Sequence, residues 1–205
     1  GADDSASVQA ALDWSAGNRR IFIPVGVWRF ESPITLPYDY QEFDGGGFNA
    51  NIQIAHNGNG FQHFGVTNGV PRRYNIIFRN IRMTTAAGFT PQSAFRLDDV
   101  SSSELDHVYV TQGSGVGFNR AVETFGHYDL DNAIYGGNWG FNISFCQLWN
   151  KAGGDYVVYG DGGPGSTGGP NDIRILNSYI SGGLSGSPTN GAAGNTPITP
   201  VFAAV

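Results

Sequence analysis

The hydrophobic pattern of the chain repeats as a unit of short strands. Before each of four polar residues, apolar and polar side chains alternate, and a second short apolar run follows the polar residue. These polar residues, spaced about thirty positions apart, are Asn80, His107, Gln147 and Asn177. Because one-sided burial of a strand requires alternation at period two, each unit predicts two strands that meet at a corner occupied by the polar residue.

The apolar parity of these units predicts which side chains face the core. The residues on this parity are Ile76 and Phe78, Leu105, Ile143 and Phe145, and Ile173 and Ile175. A further strand precedes each unit, over residues 61–66, 94–100, 121–125 and 155–159. Three short strands in each repeat of about thirty residues are typical of a parallel β-helix. An asparagine suits such a corner because it tolerates left-handed backbone angles; the alternative is that the four polar residues are unrelated turn residues.

Composition limits the class of protein and its partners. The chain has 205 residues, 31 of them glycine and only 11 Lys or Arg, which favours a turn-rich β domain over one with long helices. No window approaches the roughly 20 apolar residues of a membrane span. The net charge is −6, and the basic residues cluster no further than in two arginine pairs, so we expect neither nucleic acid nor an anionic membrane as a partner. The single cysteine, Cys146, is predicted to be a small buried hydrophobe.

The two ends of the chain differ from the repeats. Asp4 or Ser5 can cap a short helix whose Val8, Ala11 and Leu12 share one face, and this helix would cover the first strands. The last residues, 182–205, are rich in Gly, Ala, Thr and Pro and show no alternation. We therefore predict a β-helix domain over residues 1–181, with a cap module at 1–40, and an extended tail or linker at 182–205. Because no Met begins the chain, we expect a processed or truncated piece.

The first forty residues resemble a known family. The matching segments are Gly1-Ala2-Asp3-Asp4-Ser5, Val8-Gln9-Ala10-Ala11-Leu12, Ile23-Pro24-x-Gly26-x-Trp28 and Ile34-x-Leu36-Pro37. They are similar to the N-terminal module of the pectate-lyase-like β-helix superfamily, in particular its phage tailspike and capsule-depolymerase branch. The resemblance implies an all-β, right-handed single-stranded parallel β-helix with a short N-terminal capping helix. It also implies a homotrimer on the virion tail, outside the cell, that meets a bacterial surface polysaccharide.

Sugar-binding chemistry is concentrated in the longest loop between strands. It contains aromatic rings that can stack on pyranoses beside polar groups that can bind hydroxyls, at His127, Tyr128, Asp129, Asp131, Tyr135 and Trp139. The alternative is that Tyr135 and Trp139 only pack this loop onto the stack. No zinc-type or calcium-loop spacing occurs, so neither a metal nor a cofactor is predicted, although Asp129 and Asp131 could hold a cation weakly.

Four carboxylates are candidate catalysts, and Arg96 is a candidate substrate clamp. Alignment of the preceding strands places Leu97, Thr124 and Val158 in register and brings together Asp98, Asp99, Glu123 and Asp161. Adjacent coils are ~4.8 Å apart, and glycosidases use carboxyl groups about 5 to 10 Å apart. Each has a structural alternative: Glu123 can pair with Arg96, and the other three can serve turns.

Three functions follow as hypotheses. The first is a tailspike-like protein that binds a bacterial surface polysaccharide and cleaves it by carboxylate-assisted hydrolysis. The second is a polysaccharide lyase, which ranks lower because Arg96 is the only obvious base or clamp near the carboxylates. The third is a non-catalytic attachment module of a larger spike.

Overall fold

The computed structural model describes residues 2–16, 19–65, 72–129, 134–135, 138–152, 156–161, 172–181 and 184–186. They form one helix, α1 (Ser5–Ser15), and short strands numbered β1 to β22 along the chain. No helix in this part of the chain is long and apolar enough to cross a bilayer.

Three six-stranded parallel sheets make up most of the structure. Sheet A contains β1 (Arg19–Ile23), β4 (Gln41–Gly45), β8 (Ile77–Arg79), β12 (Glu104–Asp106), β17 (Phe141–Ser144) and β20 (Ile173–Leu176). Sheet B contains β2 (Gly26–Phe30), β5 (Ala50–Ile54), β9 (Arg82–Thr85), β13 (Tyr109–Gly113), β18 (Gln147–Trp149) and β21 (Tyr179–Ser181). Sheet C contains β3 (Ile34–Thr35), β6 (Phe61–His63), β10 (Ser93–Leu97), β14 (Arg120–Phe125), β19 (Val158–Asp161) and β22 (Leu184–Gly186).

The chain visits the three sheets in turn, so that each repeat adds one strand to each sheet. Two further two-stranded sheets lie outside these three. In one, β7 (Arg73–Tyr74) is parallel to β11 (Val100–Ser101), and in the other, β15 (Tyr128–Asp129) is antiparallel to β16 (Ile134–Tyr135). The predicted all-β parallel fold with three strands per repeat is confirmed.

The core is a column of aromatic and aliphatic side chains between the three sheets. Phe43 stacks on Phe78 at 4.8 Å between ring centroids, and Phe61 stacks on Phe95 at 5.9 Å. All four rings are fully buried. Each ring contributes about 1.5–3 kcal/mol by burial, and each aromatic contact adds about 0.5–1.5 kcal/mol, so the column stabilises the stack along its length.

Three of the four predicted corner residues are confirmed, and one is wrong. Asn80, His107 and Asn177 follow strands of sheet A with φ of 53°, 51° and 48°. The fourth member of this column is Phe145, with φ of 53°, whereas Gln147 is the first residue of β18.

A stacking contact accounts for the aromatic residue at this corner. A left-handed backbone is unfavourable for a bulky side chain, and Phe145 is half-exposed rather than in the core. Its ring stacks on that of His107 in the preceding coil, with centroids 5.1 Å apart. The contact occupies the place that amide side chains fill elsewhere in the column.

The helix α1 is tied to the first coil through its N-terminal end. Asp4 accepts a hydrogen bond from the backbone N–H of Arg29 at 2.8 Å, and the Ser5 hydroxyl accepts one from that of Glu31 at 2.9 Å. Val8 and Leu12 are buried against the stack. The short helix therefore packs on the first strands, as the sequence predicts.

Two further expectations concern the end of the chain and the cysteine. The strand β22 lies inside the segment predicted as a tail and pairs with β19. Cys146 is 1% exposed, and burial raises the pKa of its thiol to about 12, which leaves it unreactive. The prediction of a buried structural cysteine is confirmed.

Candidate functional site

Of the predicted catalytic carboxylates, Asp98 and Asp99 follow β10 and Asp161 ends β19, at the carboxyl-terminal edge of sheet C, whereas Glu123 lies within β14. Arg96 pairs with Glu123, as the sequence predicts, and this register sets Asp98 beside Phe125. Farther along the stack, Thr124 pairs with Gly160. The predicted alignment of Thr124 with Val158 is therefore wrong, because Val158 pairs with Val122 two residues earlier.

Asp99 and His127 form a buried pair between adjacent coils. The backbone N–H of His127 donates to Oδ1 of Asp99 at 2.7 Å, and its ring Nδ1 lies 2.7 Å from Oδ2 of the same carboxyl group. An ionised carboxylate only accepts, so it places the ring hydrogen on Nδ1. Asp99 is fully buried with φ of 52°, which a short polar residue tolerates better than most.

Asp98 lies next to this pair in a different environment. Its carboxyl group accepts hydrogen bonds from Nε of Arg96 and from the backbone N–H of Phe125, both at 3.1 Å. The guanidinium of Arg96 also lies 4.8 Å from the ring of Phe64 and 4.9 Å from that of Phe125. Burial raises the pKa of Asp98 to about 7, because desolvation outweighs the charge of Arg96.

Glu123 forms an ion pair with Arg120. Its Oε1 accepts a hydrogen bond from Nη1 of Arg120 at 2.7 Å, and the Arg120 guanidinium lies 3.9 Å from the centre of the Tyr159 ring. Among the described residues, no hydrogen bond reaches Oε2 of Glu123, which is buried. The pairing of Glu123 with Arg96 that the sequence suggested exists as strand register, whereas the ion pair is with Arg120.

A buried amide locks the loop of His127 to the sheet. Oδ1 of Asn138 accepts a hydrogen bond from the backbone N–H of Val100 at 2.7 Å, and its Nδ2 donates to the hydroxyl of Thr124. Trp139 follows, half-exposed, with its backbone bridged to Ser101. Asn138 is not among the predicted site residues, although it stands at the end of the loop, where a contact that holds the loop to the sheet is needed.

The other predicted site residues are only partly described. The backbone of Asp161 ends β19 opposite Phe125, and the backbones of Tyr128, Asp129 and Tyr135 form the antiparallel hairpin. The side chains of these four residues, and the whole of Asp131, lie outside the described part of the chain. Their predicted roles stay predictions.

The chemistry of the carboxylate cluster is dominated by its burial. Asp98 and Asp99 are fully buried, and Glu123 and His127 are at most 4% exposed. A general acid must come within about 2.6–3.2 Å of the oxygen that it protonates. The arrangement links neighbouring coils through backbone and arginine contacts, and the carboxyl groups of Asp98, Asp99 and Glu123 all lie below the surface. In the described part of the chain, no three His, Cys, Asp or Glu side chains converge as a metal site.

A second surface, on the outer face of sheet B, combines aromatic and polar side chains. We name it the B-face strip; it consists of Phe48, Arg82, Tyr109, Gln147, Trp149 and Tyr179. Four of these residues stand in one row across consecutive strands, in the order Arg82, Tyr109, Gln147 and Tyr179. Parallel neighbours repeat every ~4.8 Å, so the row runs along the axis of the stack.

Ring contacts fix the shape of the B-face strip while leaving it accessible. Phe48 packs edge-to-face on Tyr109 at 5.0 Å, and Arg82 lies 4.5 Å from the Phe48 ring centre. Trp149 packs edge-on against Tyr179 at 6.3 Å, and Tyr179 is 59% exposed. The same alternation that places Val110 and Leu148 inside places the rings of Tyr109 and Trp149 outside. That parity is the signal by which the sequence could have revealed the strip.

Comparisons with known proteins bear on the fold. No protein-family model matches the sequence, and no curated protein matches it. ORF18 of Geobacillus virus E2 aligns with a TM-score of 0.50 and 14% identity, covering 87% of this chain and 45% of that one. PfbA, a surface adhesin of Streptococcus pneumoniae, aligns with a TM-score of 0.46 and 12% identity, covering 87% of this chain and 54% of that one. The chain thus spans about half the length of both structures. At such low identity, the likeness to ORF18 is one of fold.

Proposed function

We propose that this chain is an attachment module of a phage-type spike that binds a bacterial surface polysaccharide without cleaving it. We infer that its three sheets wind as a right-handed parallel β-helix. The homotrimer and the extracellular position on a virion tail belong to the same proposal. These parts draw support from the resemblance of residues 1–40 to tailspike modules.

The B-face strip is the observation that carries the proposal. Aromatic faces bind the apolar faces of pyranose rings, and amide or guanidinium groups between them bind hydroxyls. Tyr109 and Tyr179 flank Gln147 in one row, so the strip offers ring, amide and ring at successive strands. Contiguous exposed apolar surface beside polar groups typically marks an interaction site. A polymer lying along the axis would meet these groups in turn.

The state of the carboxylates favours binding over cleavage. Both carboxyl oxygens of Asp99 are hydrogen-bonded to His127. The carboxyl group of Asp98 accepts hydrogen bonds from Arg96 and from the backbone N–H of Phe125. Hydrolysis needs an acid and a second carboxylate on opposite sides of an accessible sugar bond. Asp98 and Asp99 are buried and bound to the neighbouring coil, so they do not provide that arrangement.

Hydrolysis is the second candidate, and one observation favours it. A pKa of about 7 on Asp98 suits a general acid at neutral pH, as burial achieves in glycosidases. In this alternative, a change in the loop that follows β14 would have to bring a glycan to the Asp98 carboxyl group.

A panel of capsular and O-antigen polysaccharides separates the two candidates. Saturable binding without new reducing ends or unsaturated products supports the attachment module. New reducing ends that disappear in Asp98→Asn would establish hydrolysis, and unsaturated products would establish the lyase. Failure to bind any member of a broad panel would refute the proposed polysaccharide ligand.

A further inference from the structure

A groove lies on the outer face of sheet A, near the helix α1. We name it the A-face groove; its lining residues are Arg19, Arg20, Tyr40, Glu42, Asn75 and Ile77. Its volume is about 560 Å³, within the range of about 300–1,000 Å³ that small-molecule sites occupy. None of these residues belongs to the predicted site or to the B-face strip.

Tyr40 stands in this groove with an unfavourable backbone. Its φ is 57°, and it belongs to a second corner column in which Asn75 and Ser102 have φ of 55° and 52°. Small polar residues tolerate this conformation, whereas a bulky aromatic one is strained there. The backbone is held by a 2.8 Å hydrogen bond from the Tyr40 N–H to the carbonyl of Tyr74, and the ring is half-exposed. A strained residue with an exposed ring points to a function for that ring.

The two arginines of the groove differ in their partners. Arg20 forms ion pairs with Glu42, at 3.6 Å, and with Asp44. Among the described residues, Arg19 makes no ion pair, and its guanidinium lies 4.3 Å from the Trp14 ring centre. The groove therefore presents one cation that is positioned by an aromatic face and not neutralised by a carboxylate.

The acidic residue of the lining is already engaged. Oε1 of Glu42 lies 3.2 Å from Nη1 of Arg79 as well as near Arg20. Its charge is shared between two arginines, which weakens its repulsion of an incoming anion. Of the three charged residues in the lining, Arg20 and Glu42 are paired with each other, so among the described residues Arg19 is the member whose charge no carboxylate offsets.

We propose that the A-face groove binds a pyranose that carries a negative charge, as a carboxylate or a phosphate. Tyr40 stacks on the apolar face of the ring, Arg19 pairs with the anionic group, and Asn75 binds a hydroxyl above the side chain of Ile77. Charge-assisted hydrogen bonds from a guanidinium to either anion are the strong contacts of such a site. The inference rests on the proposed function only in taking the sugar to be part of a surface polysaccharide.

The test is a set of NMR titrations of the whole chain with three probes. The probes are methyl glucoside, methyl glucuronide and glucose 6-phosphate, which share the ring and differ in charge. We expect at least one anionic probe to bind about tenfold tighter than the glucoside, with shifts at Arg19 and Asn75. The stronger anion identifies the chemical group. Equal affinities for all three probes, or no binding, would overturn the proposal.

Two variants test the roles of the lining. We expect Arg19→Gln to lose about tenfold in affinity for the anionic probe and to leave the glucoside unchanged. Tyr40→Asn removes the stacking ring and relieves the left-handed strain, so it should weaken all probes while its melting temperature stays the same or rises. Unchanged affinities in either variant would contradict the assignment.

Tyr179→Ala separates this inference from the proposed function. It alters the B-face strip and should leave the binding of charged monosaccharides unchanged, so a loss there would contradict the groove. If the groove binds its probes but no polysaccharide binds the chain, the proposed function fails and the groove remains. If polysaccharides bind and the groove binds none of the probes, the groove proposal fails and the proposed function remains.

Discussion

One carboxylate of Asp99 holds both the backbone N–H and the ring Nδ1 of His127, each at 2.7 Å. The two residues are 28 positions apart in the chain, so this contact joins one coil to the next. Both side chains are buried, and Asp99 has a left-handed backbone. The pair therefore contributes to the stability of the stack at the end of sheet C.

Asp99→Ala is expected to lower the free energy of unfolding by about 2–4 kcal/mol, because two buried donors of His127 lose their acceptor. Asp99→Asn is the matched control: it tolerates the positive φ and keeps one acceptor, so its loss should be roughly half as large. Urea unfolding of the three proteins measures the difference. Equal stability of Asp99→Ala and the native chain would contradict a role for this pair in stability.

The raised pKa of Asp98 predicts a pH-dependent stability. Its carboxyl group titrates at about 7 when folded, against 3.8 as the ordinary value. Between these values the unfolded chain has released this proton while the folded chain keeps it. The stability that this bound proton contributes is thus fully present below pH 3.8. It declines by up to about 1.4 kcal/mol for each pH unit above that value, and it is lost above about pH 7.

Asp98→Asn removes this titration and serves as the reference. From pH 4 to pH 7, the unfolding free energy of the native chain should fall relative to that of Asp98→Asn. Above about pH 7, the difference between the two proteins should stay constant. Urea unfolding at a series of pH values gives that difference, in which the other titrating groups cancel. A difference that is constant with pH would mean that the Asp98 pKa is not raised.

Asn138→Ala should destabilise the chain by about 1–3 kcal/mol, since it leaves the buried backbone N–H of Val100 without its acceptor and removes one of the two hydrogen bonds of the Thr124 hydroxyl. Asn142→Ala, at a half-buried outward position of β17, is the control and should change stability by less than about 0.5 kcal/mol. Thermal unfolding compares the two. Similar melting temperatures for both variants would contradict the clamp assigned to Asn138.

The repeat of the fold could be predicted because burial of one face of a strand requires an apolar side chain at every second residue. Ile76 and Phe78, Leu105, and Ile173 and Ile175 are buried on the parity that the sequence indicates. Phe145 breaks the rule, because its hydrophobicity continues the pattern of Ile143 while its backbone has already left the strand. The ring of Phe145 is held by stacking on His107 in the neighbouring coil. The two residues are 38 positions apart, so local alternation of apolar and polar residues cannot indicate this contact.

The carboxylate cluster could be located, but its burial could not be predicted. Asp98, Asp99, Glu123 and His127 come together because strand register is regular. Which of these side chains faces solvent depends on how the coil ends fold over the sheet, and period-two alternation carries no information on that. The B-face strip was missed for a related reason: its apolar residues were assigned to strands without regard to which face they occupy.

Binding of one surface polysaccharide by matched variants tests the central claim most directly. Equilibrium binding would be measured for the native chain, the double variant Tyr109→Ala/Tyr179→Ala, and Phe22→Ala, which removes an exposed ring from sheet A. We predict saturable binding by the native chain and by Phe22→Ala, a loss of about tenfold or more in the double variant, and no new reducing ends. Equal binding by all three proteins, or cleavage by the native chain, would contradict attachment through the B-face strip.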